Sequence, residues 1–179
     1  MKPSKLVTSR LFLRDFCEGD ELPLFHNYCS DEERSKFLAR EAHKNITQTL
    51  NFLNLWCKSA WENSLSDFAW VIALRETNEP IGVFIVKSQL NRAEIHYGIN
   101  RKFEGQGYIT EAGLAVIDWL KSTNNIDEIW TECDIEHRAS IKVLEKLGFE
   151  NVGLIKNGLQ LPAFENSSRD SYRFQNYPM

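Results

Sequence analysis

Two glycines at the junction between a predicted strand and a predicted helix constrain this chain more than any other feature. The strand covers residues 94–100, the helix covers residues 110–121, and Gly105 and Gly107 lie in the loop between them. Glycines at the beginning of a helix leave consecutive backbone N–H groups unshielded, and the helix dipole adds partial positive charge there. The sequence therefore predicts an anion site at this loop, of the kind that holds a pyrophosphate.

The composition is that of a globular protein. The chain has 179 residues, enough for one domain with a buried core, and we expect residues 1–179 to form a single domain. Its apolar fraction of 42% and charged fraction of 26% are near globular averages. A net charge of −4 without any run of Lys or Arg argues against a nucleic-acid surface. The mild acidity favours cationic partners such as amines.

Neither a membrane span nor a secretory signal is predicted. No apolar run approaches about 18 residues, and the first residues lead into an alternating strand pattern rather than an apolar segment. The four cysteines, Cys17, Cys29, Cys57 and Cys133, include no Cys-x-x-Cys pair, so zinc and redox motifs are absent. We therefore expect a cytoplasmic protein with reduced thiols, and the sequence alone leaves a disulfide open.

Hydrophobic periodicity predicts the element order βααβββαβαββ, a mixed α/β (α+β) fold. The predicted strands are residues 6–16, 68–74, 81–87, 94–99, 129–135, 149–155 and 171–174, and the helices begin near Asp20 and Thr47 and cover residues 110–121 and 139–147. Residues 31–44 and 157–168 show no clear pattern. A meander that passes into a βαβ crossover predicts a mixed, mostly antiparallel sheet of about seven strands with helices on both faces. Its ligand is expected at the carboxyl end of the third meander strand.

Three sequence blocks follow one another in the second half of the chain. Residues 93–99 read AEIHYGI, residues 102–112 read KFEGQGYITEA, and residues 137–149 read HRASIKVLEKLGF. Together they resemble the Gcn5-related N-acetyltransferase superfamily, and within it the ribosomal-protein N-terminal alanine or serine acetyltransferases (RimJ/RimL-like). The corresponding motifs of that branch are AEIGY-x-I, GxGYATEA and NxxSxxVLEKLGF. The LFLR sequence of residues 11–14 matches the branch's first strand, LxLR.

The resemblance implies acetyl-coenzyme A as the acetyl donor and no metal. The pyrophosphate is expected on the N–H groups of residues 103–108, and the pantetheine arm is expected to pair with the strand edge at Ile99. The thioester enters a gap where two central strands splay apart. The coenzyme-binding residues implied in this way are Ile99, Lys102, Phe103, Gly105, Gln106, Gly107, Tyr108, Thr110 and His137.

Three positions depart from the family's pattern. Lys102 stands where the superfamily has Gln or Arg, which keeps a positive charge near phosphate but loses the fork of an arginine. Glu104 stands where the branch often has an aromatic residue. His137 replaces an asparagine that helps hold the pantetheine, and an imidazole still donates one hydrogen bond. Neither Lys102 nor Glu104 alters the backbone donors of the loop.

Direct transfer requires a neutral amine, so the acceptor decides how strong a base is needed. An α-amine with pKa near 7.8 is about 10–15% neutral at pH 7, whereas a lysine amine is neutral only about 0.04% of the time. Glu94, on the strand that feeds the loop, is the leading candidate for the base, and the alternative is a solvated strand carboxylate. His96 shares its face and is a second candidate, because histidine is a common acid–base side chain, with a partly packed histidine as the alternative. Tyr97 is expected to pack or to hydrogen-bond across the sheet.

Ser140 is the candidate for the leaving-thiol side of the reaction. Coenzyme A thiol has a pKa of about 8.5, so one hydroxyl hydrogen bond is enough to assist its departure. The alternative is a serine that caps the helix at its first turn. Many superfamily members use a tyrosine as general acid at the position of Leu144, so that route is closed here.

Three hypotheses about the function remain open, and the first two differ in the amine that accepts the acetyl group. The first is the N-terminal amine of a protein or peptide. The second is a small-molecule amine, such as a polyamine, an aminoglycoside or an amino acid derivative. The third is a non-catalytic acyl-coenzyme A sensor. A deep acidic pocket would favour polyamines, and an open groove would favour peptides. The sequence leaves a monomer and a homodimer equally open.

Overall fold

The computed structural model describes residues 2–122, 126–165 and 167–177. In these ranges eight strands form one mixed sheet in the order β1-β2-β3-β4-β5-β6-β8-β7. The strands are β1 (Leu6–Val7), β2 (Leu11–Arg14), β3 (Asp67–Leu74), β4 (Pro80–Gln89), β5 (Arg92–Ile99), β6 (Glu128–Asp134), β7 (Glu150–Gln160) and β8 (Ser168–Asn176). All pairs are antiparallel except β5 with β6. The predicted mixed, mostly antiparallel sheet is confirmed.

Six α-helices accompany the described part of the sheet. They are α1 (Glu21–Leu24), α2 (Glu32–Ser35), α3 (Ile46–Leu53), α4 (Ala60–Glu62), α5 (Tyr108–Ser122) and α6 (Arg138–Lys146). A π-helical turn, Phe25–Cys29, continues α1, and another, Asn54–Ser59, joins α3 to α4. Asn45 caps α3, because its side chain accepts a hydrogen bond from the N–H of Gln48. None of these helices is long and apolar enough to cross a membrane.

The first predicted strand, residues 6–16, is two strands in the structure. The chain turns back at residues 8–10, and β1 pairs antiparallel with β2. The carboxylate of Glu111, at the start of α5, holds this turn: it accepts from Thr8 Oγ1 at 2.6 Å, from Ser9 Oγ at 3.0 Å and from the N–H of Arg10 at 2.8 Å. A contact between residues about 100 positions apart leaves no trace in local alternation. The expected seven strands therefore become eight.

Helices cover both faces of the sheet, as expected. On one face α5 buries Ala112, Val116 and Leu120 in a core that contains Ala93 and Ile95 of β5. On the other face the side chains of α1 and α3 meet β3 and β4, in a second cluster that includes Leu24, Leu53, Val71 and Val83. The residues of β5 therefore alternate between the α5 side of the sheet and the opposite side.

The two central strands pair over a short distance and then separate. β5 and β6 are matched only at Arg92 with Glu128, Ala93 with Ile129 and Glu94 with Trp130. Beyond these pairs β5 continues to Ile99 and β6 to Asp134 without a ladder between them. The predicted splayed pair is confirmed, and the resulting gap opens toward the loop that follows β5.

The C-terminal hairpin is longer than predicted. Strand β7 extends to Gln160 rather than stopping at residue 155, and β8 covers Ser168–Asn176 rather than residues 171–174. Register shifts interrupt the pairing of β7 with β8 at residues 151–153 and 155–159. Because β7 is a largely exposed edge strand, it lacks the apolar alternation on which sequence-based assignment depends. Asn166, within the unassigned segment 157–168, lies outside the described residues.

All four cysteines are free thiols. Cys17 is exposed, whereas Cys29, Cys57 and Cys133 are buried. The expectation of reduced thiols is therefore met by the structure, and no disulfide links them.

A buried ion pair explains the arginine of the LFLR sequence. Arg14 and Asp20 are each 5% exposed, and Arg14 donates to both carboxylate oxygens of Asp20, at 2.7 and 2.9 Å. Asp20 also accepts from the N–H of Cys17 at 2.8 Å. The pair joins β2 to the segment that begins α1.

We expect Arg14→Met to destabilise the protein by about 3–5 kcal/mol, because it leaves the Asp20 carboxylate buried without its partner. Urea unfolding followed by tryptophan fluorescence measures this loss. The double variant with Asp20→Asn should recover a large part of it, since the amide oxygen still accepts from Cys17. A single variant as stable as the parent would contradict the expected energetic role of the pair.

Candidate active site

The loop after β5 is shaped by two residues with positive φ. Gly105 has φ +72° and Gly107 has φ +81°, a region that strongly favours glycine. A 3₁₀ turn, Arg101–Phe103, precedes them, and Asn100 Oδ1 accepts from the N–H of Lys102 at 2.9 Å. Gln106 Nε2 donates to the carbonyl of Lys102 at 2.8 Å and closes the loop on itself. The local sequence thus fixes the path of the chain into α5.

Six consecutive amides of this loop and the first turn of α5 have no acceptor among the residues that the structure describes. The N–H of Phe103 donates to Asn100 O at 2.9 Å, and the N–H of Glu104 donates to Arg101 O at 3.2 Å. Among the residues described by the structure, none accepts from the N–H groups of residues 105–110, and regular helical bonding resumes with Glu111 to Gly107 O at 3.0 Å. The free amides are therefore those of residues 105–110 at the amino end of α5, whereas the first two amides of the expected range, 103 and 104, already have acceptors.

These amides open on a cleft of about 660 Å³ that lies between the loop, α6 and the splayed strands. Of the sequence-predicted residues, those that line it are Ile99, Phe103, Gly105, Gly107, Tyr108, Thr110, His137 and Ser140. Lys102, Gln106 and Glu94 do not line it. The structure thus gathers most of the predicted coenzyme residues and Ser140 around one space of the size of a small-molecule site.

A row of basic side chains borders this cleft, and sequence reasoning missed it. Arg138, Lys142 and Lys146 lie on α6 at four-residue intervals, which places them on one face of the helix. Arg34 and Lys36 border the cleft from the opposite side. The four-residue spacing was visible in the sequence and was the signal that could have found the row. Positive charge of this kind suits the phosphates of a coenzyme.

Arg34 also forms an ion pair with Glu104 at the start of the loop. Glu104 replaces the aromatic residue that is usual at this position. Its negative charge is neutralised by Arg34 of α2 and is not left unpaired beside the expected anion. The pair ties a helix of the N-terminal half to the anion site.

The hydroxyl of Tyr97 holds Ser140 across the gap between the strands. Tyr97 Oη lies 3.0 Å from Ser140 Oγ and donates to the main-chain oxygen of Ser140 at 3.3 Å. Burial raises the pKa of Tyr97 well above its ordinary value, against the opposing effect of the Ser140 hydrogen bond. The phenol is therefore protonated at neutral pH. Tyr97 packs against the core as expected, and its hydrogen bond is made to α6 rather than across the sheet.

Cys133 lies beside Ser140, and sequence reasoning did not single it out for the site. It lines a second, smaller cavity of about 50 Å³ within the gap, together with Ser140 and Tyr97. Burial raises the pKa of the Cys133 thiol to about 11 despite its contact with Ser140. A thiol that is protonated at neutral pH is a poor nucleophile. The site therefore favours direct transfer over an acyl-cysteine intermediate.

His137 stacks on the ring of Phe37, with ring centroids 4.5 Å apart. Burial lowers the pKa of His137 to about 4, with Asp134 opposing and Arg34 assisting the shift. The imidazole is therefore neutral and has one donor and one acceptor nitrogen at neutral pH. Its position at the cleft wall is compatible with the hydrogen bond expected toward a pantetheine.

Glu94 lies just outside the gap between β5 and β6. It belongs to the last matched pair of β5 and β6, and it lines neither cavity. Its Oε1 lies 2.9 Å from His96 Nε2, and His96 lines the smaller cavity. Burial raises the pKa of Glu94, but His96, Lys87 and Arg173 outweigh this effect and hold the pKa below its ordinary value. Glu94 is therefore an ionised carboxylate that reaches the gap only through His96.

Several known proteins share this architecture. An acetyltransferase of the GNAT family from Bacillus anthracis superposes with TM-score 0.85 at 21% identity, covering 98% of this chain and 99% of that one. RimL, a ribosomal L7/L12 alpha-N-protein acetyltransferase in complex with coenzyme A, gives 0.82 at 17% identity, with 97% and 98% covered. Spermidine N-acetyltransferase from Vibrio cholerae, in complex with coenzyme A and spermine, gives 0.76 at 17% identity, with 96% and 97% covered. At these identities the likeness concerns the fold.

The sequence comparisons identify the family. An uncharacterised N-acetyltransferase, p20 of Bacillus licheniformis, is 28% identical over 155 residues, which are 85% of each chain. The profile of the acetyltransferase (GNAT) domain matches residues 10–150, a range that contains the loop, the splayed strands and Ser140. The chain therefore belongs to the GNAT acetyltransferase family and is an acetyl-coenzyme A-dependent N-acetyltransferase.

Proposed function

We propose that this enzyme acetylates the N-terminal α-amine of a peptide or protein. The observation that carries the proposal is the shared cleft: Gly105, residues 107–110, whose amides are free, and Ser140 line one space at the open end of β5 and β6. The amides and the basic face of α6 would hold the phosphates of acetyl-coenzyme A. The acetyl thioester would then reach the gap beside Ser140, where an amine can attack it.

The charges around the gap favour an acceptor with a single amine. Glu132 and Asp134 both line the smaller cavity, and each has an arginine partner. Arg173 Nη1 lies 3.6 Å from Glu132 Oε1, and Arg169 Nη2 donates to Asp134 Oδ1 at 3.1 Å. A polyamine needs carboxylates that are free to pair with its additional ammonium groups. Carboxylates already paired with arginine offer little to such a substrate.

The chemistry of the amine supports the same choice. An α-amine is partly neutral at pH 7, so it needs less deprotonation than a lysine amine by about 3.5 kcal/mol. A site with buried Cys133 and Tyr97, both protonated at neutral pH, has no strong base of its own among these groups. An acceptor that loses its proton easily suits such a site.

A small-molecule amine is the second candidate. One structural neighbour acts, by its name, on spermidine, and another on a ribosomal protein. Both share the fold of this chain at 17% identity, so the fold alone does not choose between the two acceptors.

A thiol-release assay over an amine panel tests the proposal. The panel contains peptides with free α-amines, the same peptides with blocked α-amines and a free lysine, spermidine, spermine and an aminoglycoside. We expect release with the free α-amines and little with the blocked peptides. Faster turnover with spermidine or the aminoglycoside would instead support the small-molecule hypothesis. Coenzyme A binding without release from any amine would support the sensor hypothesis.

A further inference from the structure

We propose that His96 is the general base of the transfer and that Glu94 is its positioning residue. The inference rests on the proposed function, since it concerns the same gap, and it reassigns the role first expected for Glu94. The two side chains project from β5 to the face opposite α5, because Ala93 and Ile95 between and beside them are in the α5 core. An acceptor that approaches the gap from this face meets His96 before Glu94.

Glu94 and His96 differ in their position relative to the gap between β5 and β6. Glu94 belongs to the last matched pair with β6, whereas His96 lies two residues further along, where the strands have separated. His96 lines the cavity that also contains Ser140 and Tyr97, and Glu94 does not. A base must reach the proton that it removes, directly or through one water. His96 is in the wall of this cavity, whereas Glu94 is connected to it only through the imidazole.

The contact between the two residues decides which nitrogen is available. His96 Nε2 is shielded from solvent and lies 2.9 Å from Glu94 Oε1, although not at the angle of an aligned hydrogen bond. Among the residues described here, it has no other partner. A carboxylate next to Nε2 favours the tautomer with the proton on Nε2, which leaves the lone pair on Nδ1. Nδ1 is then the nitrogen that accepts the proton of the amine.

The charged groups around His96 are balanced. Glu94 lies on the same strand, and Lys87 lies on β4 opposite Glu94. Glu132 and Asp134 face the gap from β6, and their arginine partners on β8 are Arg173 and Arg169. The only one of these groups in ion-pair contact with the ring is Glu94. Its negative charge stabilises the imidazolium that forms when the proton is taken up.

Acetyl transfer forms one bond, breaks one bond and moves one proton. The amine nitrogen forms a bond to the acetyl carbon, the carbon–sulfur bond breaks, and the sulfur leaves with the bonding electron pair. The proton of the nitrogen moves to Nδ1 of His96, while the hydroxyl of Ser140 donates a hydrogen bond to the departing thiolate. The products are the acetylated amine and the thiolate of coenzyme A; the proton on His96 is then lost to water, and the thiolate takes up a proton from water.

The experiment uses the full chain and three variants: His96→Gln, Glu94→Gln and the control His26→Gln, which changes an exposed histidine. kcat/KM is measured against pH with two acceptor peptides whose α-amines have different pKa values. If the pH at which kcat/KM rises differs between the two peptides, that limb of the pH profile reports the amine. If this pH is the same for both peptides, the limb reports a group of the enzyme. We expect a fixed limb for the parent and for His26→Gln. His96→Gln should lose this limb and about a hundredfold in kcat at pH 7.

Glu94→Gln should keep the fixed limb but move it to lower pH, because the imidazolium loses its negative neighbour. NMR titration of the His96 ring in the parent and in Glu94→Gln measures the same displacement without any turnover. Retention of the fixed limb in His96→Gln, or an unmoved His96 titration in Glu94→Gln, would overturn the proposal. If the parent acetylates no amine, the proposed function fails, and the titration still decides whether Glu94 tunes His96. Calorimetry with coenzyme A verifies that each variant is folded.

Discussion

Replacing Gly105 with aspartate will lower the affinity for coenzyme A by about a hundredfold or more. A Cβ built at Gly105 meets no atom within 4 Å, so the new side chain has room in the cleft rather than a clash to resolve. The carboxylate would then lie among the free amides of residues 105–110, where the pyrophosphate is proposed to bind. Two like charges about 5 Å apart repel by about 3 kcal/mol at an effective dielectric constant near 20, which corresponds to a factor above one hundred.

Asparagine at the same position is the matched control. Asn and Asp have nearly the same shape and tolerate the positive φ of Gly105 to a similar degree, at a cost of about 1–2 kcal/mol relative to glycine. The difference between the two variants therefore isolates the effect of charge. Isothermal calorimetry with coenzyme A gives both affinities, and thermal unfolding verifies the fold. Equal affinities for Gly105→Asp and Gly105→Asn would show that the phosphates of coenzyme A do not bind at this loop.

The features of the fold that depend on local pattern were predictable, and those that depend on distant contacts were not. The meander, the glycine loop and the two C-terminal helices follow from alternation, helical spacing and glycine position in the sequence. The turn at residues 8–10 depends on Glu111, which is about 100 residues away, and the added length of the C-terminal hairpin depends on the pairing of β8 with the exposed, polar edge strand β7. Neither feature has a periodicity that a sequence can display.

The same distinction holds for the site. The loop and Ser140 could be predicted because a short motif encodes each of them. The separation of Glu94 from the gap could not, because it depends on where the ladder between β5 and β6 ends. Cys133 was overlooked as a site residue because a lone cysteine on a strand resembles any other buried apolar residue. The basic face of α6 shows that a helical charge pattern can be present in the sequence and still be missed.

Replacing Ser140 with alanine will lower kcat by about 10- to 100-fold, because a hydrogen bond to a charged group contributes about 1.5–3 kcal/mol. That bond is made to the departing thiolate and not to the bound thioester, so the affinity for coenzyme A should change by no more than about twofold. The fold should tolerate the change, since Tyr97 still has the main-chain oxygen of residue 140 as an acceptor at 3.3 Å. Thiol release at saturating donor and acceptor gives kcat, and calorimetry gives the affinity.

Tyr97→Phe tests whether the phenol of Tyr97 acts through the hydroxyl of Ser140. Tyr97 Oη lies 3.0 Å from Ser140 Oγ, so its loss should free the serine rotamer and lower kcat by less than Ser140→Ala does. Once Ser140 Oγ is absent, the phenol of Tyr97 has no serine hydroxyl to orient, so adding Tyr97→Phe to Ser140→Ala should lower kcat no further. Additive losses would mean that the two hydroxyls act independently. A parental kcat for Ser140→Ala would mean that the serine serves only α6, and the thiolate would then have to leave without help from this side chain.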